Sequence, residues 1–191
     1  LLMMKSRKLL KNILITLVLT ALATGGAVVI GQYLGSRSAG EARRAAEQLM
    51  GFLFVFSLAI TAFMYLGQDF ILHGVFGAIS DEVYGHARTY LLICSAAIPG
   101  IALYCGVAAI YRTQGDSATP MRIAIVMNAI NVCGNAILIY GLHFGTAGVA
   151  IPTLASRVVA AIIGLVILRH PNKAVYLDQI RHFRFNGGMI R

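Results

Sequence analysis

The chain has 191 residues, of which 58% are apolar and only 12% charged, a composition outside the usual range for a water-soluble domain. Its formal charge of +9 comes from basic residues spread over short loops with no aromatic interleaving; that pattern excludes a nucleic-acid partner and assigns the charge to membrane topology and lipid headgroups. Cys94, Cys105 and Cys133 lie in apolar stretches without a C-x-x-C pair, and the histidines lack metal-ligand spacing, so no disulfide framework, metal centre or cofactor is expected.

Five uncharged stretches dominate: Asn12–Ser36, Gln48–Gln68, Thr89–Tyr111, Ile123–Ser156 and Val158–Leu168. The last two read as two helices broken at Gly141-Leu-His-Phe-Gly145, the second running through Arg157. About 20 residues cross a hydrocarbon core of roughly 30 Å. The sequence therefore predicts an all-α, polytopic transmembrane helix bundle. Its spans fall at about 12–35, 48–68, 86–111, 120–141 and 146–168, and a polar tail follows over 171–191.

The first span carries Gly25-Gly26 and a small-xxx-small step at Gly31 and Gly35, read as close helix packing or as a bending point. The next loop, Ser36 to Gln48, reads as a polar helical lead-in, with Ser38 or Gly40 as cap and Glu47 at pairing distance from Arg43 and Arg44. Phe70–Ser80 is apolar but broken by glycines; Ser80 then caps an amphipathic segment opening with Asp81 and Glu82. Pro99-Gly100 interrupts the third span and predicts a kink there.

The turn Arg112-Thr-Gln-Gly-Asp-Ser-Ala-Thr-Pro120 reverses at Gly115-Asp116. Thr119 is expected to cap the fourth span and Pro120 to take its first position. Asp116, flanked by Arg112 and Arg122, is either a local ion-pair partner or a gate contact. In the fourth span Asn128, Asn131 and Asn135 are three and four apart and share a helical face. Amides in hydrocarbon need partners, so the stripe marks a helix–helix seam or a polar cavity; cavity lining is the preferred reading.

Arg157 lies some 15 Å into the fifth span by helical rise. A mid-membrane Arg is costly unless it faces protein or water. No Asp or Glu occurs in the five spans, so its partners within the chain must be amides, hydroxyls or carbonyls. It reads either as a bond to the asparagine helix or as a cavity group.

Sorting Lys and Arg by alternate loops puts ten with the tail: Arg37, Arg43, Arg44, Arg112, Arg122, Arg169, Lys173, Arg181, Arg184 and Arg191. Lys5, Arg7, Lys8, Lys11 and Arg88 fall on the other side. The positive-inside rule places the C-terminal tail in the cytoplasm, in a multi-pass protein of the cytoplasmic membrane. The Lys5–Lys11 cluster runs against that assignment. A chain opening Leu1-Leu-Met-Met without a leading methionine is expected to be a fragment, and Ile13–Leu34 is too long for the h-region of a secretory signal.

These residues resemble the multidrug and toxic compound extrusion (MATE) family of secondary antiporters. The resemblance rests on Gly25-Gly-Ala-Val-Val-Ile-Gly-Gln-Tyr-Leu-Gly35 with Arg43-Arg44-Ala-Ala, on Tyr111-Arg-Thr-Gln-Gly-Asp-Ser-Ala-Thr-Pro120, on Asn128-Ala-Ile-Asn-Val-Cys-Gly-Asn135, and on Gly145-Thr-Ala-Gly-Val-Ala-Ile-Pro-Thr153. It covers nearly the whole chain. It implies a fold of twelve helices in two six-helix bundles, with these spans as helices two to six of the first. A missing first helix, a missing second bundle and a tail that begins the cytoplasmic linker follow from it.

The function it implies is export of organic, often cationic, small molecules in exchange for Na⁺ or H⁺ by alternating access. In some members an Asn and an Asp four apart on helix five, a Thr on helix six and an acid on helix one hold a cation. Asn131 matches the Asn and Thr153 the Thr; Asn135 replaces the Asp. Amides can coordinate Na⁺ through oxygen at Asn131, Asn135 and Thr153 but cannot carry a proton. Arg157 and the acid-free spans also fit a lipid-linked oligosaccharide flippase of the same superfamily, whose substrate is anionic. A passive structural membrane subunit is the remaining alternative. The spans hold no aspartate pair and no His beside a Ser, so the chain does not read as an enzyme.

Overall fold

The computed structural model describes residues 2–68, 81–141, 144–171 and 174–176, with side chains from residue 17 in the first segment and from residue 84 in the second. The Lys5–Lys11 side chains, Phe70–Ser80 with the Ser80 cap, Asp81 and Glu82 as first-turn acids, and the tail beyond Tyr176 lie outside the described residues. All regular structure among the described residues is helical: α1 (Leu2–Gly35), α2 (Ala39–Leu66), α3 (Asp81–Ala96), α4 (Ile98–Thr113), α5 (Ala118–Ala136) with a π-helical turn over Ile137–Gly141, and α6 (Ala147–Arg169). Joined across Ala97, α3 and α4 form one of five segments long and apolar enough to cross a membrane.

The boundaries depart from expectation where two segments fuse. The polar lead-in and the second span are one helix, α2, beginning at Ala39. Ser38 precedes it without a side-chain capping bond. Arg44 pairs with Glu41 at 2.9 Å, a partner that the sequence reading did not name. The α1–α2 turn is a Schellman motif: the Ser38 N–H donates to Tyr33 O (2.9 Å) and the Arg37 N–H to Leu34 O (3.1 Å). Arg37 therefore holds the left-handed position, at φ 60°, that glycine fills most easily.

One core joins α1, α2 and α4. Leu19, Ala23, Ala27 and Ile30 recur along one face of α1 and meet Ala42, Ala46, Leu49 and Leu53 of α2. Ala102, Val107 and Ile110 of α4 close the third side, with Leu168 of α6 and Val175 at the end. Alanines here let backbones approach closely, as van der Waals packing between membrane helices requires. Gly26 seats the Leu49 side chain, whereas Gly25, Gly31 and Gly35 face open space; of these glycines, Gly26 is the one packed against a neighbouring helix. α1 runs through Gly25 and Gly26 without interruption.

The expected break at Pro99 is present, with Ala97 between α3 and α4. Pro99 has no N–H to offer the carbonyl four residues back, at Ser95. The Thr61 hydroxyl of α2, which is 2.9 Å from Ser57 O, also reaches Ser95 O at 3.3 Å. A neighbouring hydroxyl thus serves the freed carbonyl, the usual remedy for a proline in a membrane helix. Gly100 lets α4 lie directly on α6: a Cβ there would sit 3.1 Å from the Arg157 carbonyl carbon and oxygen.

Candidate functional site

The α5–α6 pair forms the second packed unit. The two helices touch where side chains are small: a Cβ on Gly134 would lie 2.7 Å from the Pro152 Cβ, and one on Gly148 would lie 3.2 Å from Leu138 O. At this level the polar residues meet. Asn135 Nδ2 donates to Asn131 Oδ1 (3.1 Å), and Asn131 Nδ2 donates to Thr153 Oγ1 (3.1 Å). The Thr153 hydroxyl donates to Val149 O (2.9 Å), and the Ser156 hydroxyl donates to Thr153 O (3.0 Å).

The chain of donors runs one way from Asn135, whose own Oδ1 is buried without a hydrogen-bond partner among the described residues. Such an orphan costs its desolvation, on the order of 1–3 kcal/mol, unless a cation, a water or a donor completes it. The cluster carries no ionisable group. It can offer amide and hydroxyl oxygens to a hard cation but has no proton to exchange. Just beyond it α5 passes into the π-helical turn, a distortion frequent at functional sites.

Asn128 does not join this cluster. It is exposed, one turn nearer the start of α5. Arg157, one turn after Thr153 on α6, is half-buried, and its electrostatic neighbours are Tyr90 and Cys94 of α3 and Cys105 of α4. It makes no hydrogen bond or ion pair among the described residues, so the bond to the asparagine helix, one of its two readings, is absent there. Of the hinge candidates, Pro99 and Gly100 lie at the α3–α4 break described above, while Gly25 and Gly26 lie within continuous α1.

At the other end of α5, α4 terminates in a second Schellman turn: Gly115, at φ 78°, donates to Arg112 O (3.0 Å), and the Asp116 N–H donates to Tyr111 O (3.0 Å). Thr119 was the expected cap, but the roles are reversed. Asp116 accepts from the Thr119 N–H (3.0 Å) and its hydroxyl (2.8 Å), so the carboxylate caps α5. Helix α5 opens at Ala118, and Pro120 stands third in it.

A clamp that the sequence did not disclose closes the same end. The Gln114 side chain pairs with the backbone of Val175 in both directions: Val175 N–H to Gln114 Oε1 (3.0 Å) and Gln114 Nε2 to Val175 O (3.2 Å). From α2, Arg43 donates to Ala174 O (3.1 Å) and to the Tyr176 hydroxyl (2.9 Å), with its guanidinium 3.9 Å from the Tyr176 ring centroid. That combines hydrogen bonding with a cation–π contact.

The MatE family model matches residues 10–137. The uncharacterized transporter YisQ of Bacillus subtilis (strain 168) is 34% identical over 168 residues, covering 86% of this chain and 36% of that protein. The probable multidrug resistance protein NorM of Thermotoga maritima is 27% identical over 152 residues, covering 77% of this chain and 32% of that protein. The chain thus spans about a third of the length of these curated relatives. Among solved structures, a MATE transporter in the bent conformation superposes with a TM-score of 0.85 at 24% identity, covering 94% of this chain and 40% of that one. The inward-facing conformation of a multidrug resistance MATE family transporter gives 0.83 at 24% identity, over 92% of this chain and 40% of that one. These two establish the fold.

Proposed function

Because the chain belongs to the MatE family, whose members are transporters and not enzymes, we propose that it forms helices two to six of one bundle of a two-bundle secondary antiporter. The whole protein exports organic, cationic small molecules across the cytoplasmic membrane in exchange for a cation, by rocking one bundle against the other around a mid-membrane site. The tail over 171–191 lies in the cytoplasm and begins the linker to the second bundle, in line with the distribution of Lys and Arg. The relative whose name denotes a multidrug resistance protein supports the substrate class.

One observation carries the coupling: the cluster Asn131–Asn135–Thr153 at the α5–α6 seam, with the Asn135 Oδ1 left open. The coupling ion read from it is Na⁺. The oxygens of Asn131, Asn135 and Thr153 would hold it; their amides and hydroxyl suit a hard cation and cannot relay a proton. Asn128 and Arg157 line the cavity beside it. Na⁺-driven efflux of a cationic dye from vesicles containing the full-length protein tests the reading. Efflux that follows the Na⁺ gradient and disappears in Asn135→Ala at normal abundance supports it. Efflux driven by a proton gradient alone would reassign the coupling ion.

Arg157 favours a second reading. A cation inside the bundle without an ion-pair partner among the described residues suits an anionic cargo, as a lipid-linked oligosaccharide flippase would carry. Translocation of a lipid-linked sugar, without dye efflux, would select it. A passive structural subunit predicts instead that Asn131→Ala, Asn135→Ala and Arg157→Ala all lower abundance together.

A further inference from the structure

Beyond the Gly134–Pro152 contact, α5 and α6 run on toward the Pro120 end of the bundle. A groove of about 280 Å³ opens between them, lined by Thr119, Arg122, Ile123, Val126, Ile163 and Ile167. Four of the six are branched aliphatic side chains from the membrane-crossing parts of both helices. Thr119 and Arg122 come from the first turns of α5, and Arg122 stands only about 6 Å along the helix from Ala118 by the usual rise. The groove is therefore apolar in its depth and cationic at its mouth. By helical spacing its α5 residues lie on the far side of that helix from Asn131 and Asn135, so it is separate from the polar cluster.

Charge decides what fits. Arg122 is exposed and in no ion pair among the described residues. Arg169, the last residue of α6, and Arg112, in the last turn of α4, stand exposed at the same end. Of the acids at this end, Asp116 accepts from the amide and hydroxyl of Thr119 and Glu41 pairs with Arg44. An aliphatic slot with unpaired guanidinium at interface depth matches a molecule that is hydrocarbon in the slot and phosphate at the mouth. Basic pockets between membrane helices recognise anionic headgroups in this way, and a guanidinium binds a phosphate in two-pronged fashion.

We propose that the α5–α6 groove is a binding site for an anionic phospholipid, with an acyl chain against Ile123, Val126, Ile163 and Ile167 and the phosphate on Arg122. The site requires membrane residence alone and is independent of what the protein transports. A bound lipid would sit at the Pro120 end of the α5–α6 pair, beyond the Gly134–Pro152 contact from the polar cluster.

The test is native mass spectrometry of the full-length protein in detergent, offered equal phosphatidylglycerol and phosphatidylcholine. Wild type should retain phosphatidylglycerol preferentially. Arg122→Gln should cut that preference about fivefold, the effect of one interfacial arginine, and Arg122→Lys should keep part of it. Val126→Phe, which fills the slot and leaves the charge, should reduce retention of both lipids. Thermal unfolding of each variant controls for folding. The site is overturned if wild type shows no preference, if Arg122→Gln keeps it in full, or if Val126→Phe has no effect. Competition by inorganic phosphate alone would also overturn it, since the ligand would then be a free anion.

Discussion

The two packed units of the bundle solve the same problem by opposite means. Where α1, α2 and α4 meet, the interface is dry: Leu19, Ile30, Leu53, Val107 and Ile110 are fully buried, and alanines set the spacing. Where α5 meets α6, glycine against proline brings the helices together and the flank is polar, with a directional chain of amides and a hydroxyl that leaves one acceptor unfilled. In hydrocarbon, association comes from close packing and from hydrogen bonds between helices, with little hydrophobic drive. The first unit rests on packing, supplemented by a weak Thr20–Cys105 hydrogen bond of 4.0 Å between α1 and α4. The second keeps an unsatisfied group, and a group that lacks a partner can respond to one.

This contrast can be broken by substitution. The largest effect is expected at Gly100, where any side chain must push against the Arg157 backbone rather than against a flexible side-chain end. Gly100→Val should cost about 3 kcal/mol, the upper part of the overpacking range, and appear as a large drop in folded yield and unfolding temperature; normal yield would show that α4 and α6 can separate freely.

Next comes the seam itself. Asn131 makes both inter-residue bonds of the cluster, so Asn131→Ala should cost about 1–2 kcal/mol. Asn135→Ala removes one bond and also the buried orphan, so its cost should be smaller, under about 1 kcal/mol. Unfolding temperatures of the pair check the order, and the reverse order would show that Asn135 Oδ1 has a partner in the membrane. Thr61→Val keeps the shape and removes the bond to Ser95 O. A loss of about 0.6–1.7 kcal/mol is expected, the measured scale for hydrogen bonds between membrane helices.

The smallest effect lies at the dry unit's own turn. Gly115 and Arg37 occupy the same left-handed position of two Schellman turns. Arg37→Gly should stabilise by about 0.5–1 kcal/mol by removing the strain of a side chain there. A loss of stability instead would reveal a contact of the Arg37 side chain that outweighs it.

The five spans were legible because length and hydropathy are set by bilayer thickness, which every crossing segment must meet. The Pro99 break was legible because a missing N–H acts locally. The asparagine stripe was half legible. Spacing grouped Asn128 with Asn131 and Asn135, and resemblance to the family pattern supplied Thr153; yet Asn128, one turn before the cluster, is exposed. The cap was assigned to Thr119 while Asp116 was read as an ion-pair or gate residue; the carboxylate, accepting from both the amide and hydroxyl of Thr119, outcompetes the hydroxyl as an acceptor. The partners of Gln114 and Arg43 were not legible at all. Each reaches across the sequence to residues 174–176, and nothing in a polar loop residue's own neighbourhood signals a contact so remote.

That remote contact has a mechanical meaning. Val175 is only 1% exposed, plugged into the core below Leu168, while Gln114 and Arg43 grip the backbone and ring on either side of it. The chain leaving α6 is consequently moored to α2 and α4 before it goes further. Residues 174–176 thus form an anchorage point that travels with the dry unit, so a tilt of that unit would carry them with it, like a rope made fast to a cleat.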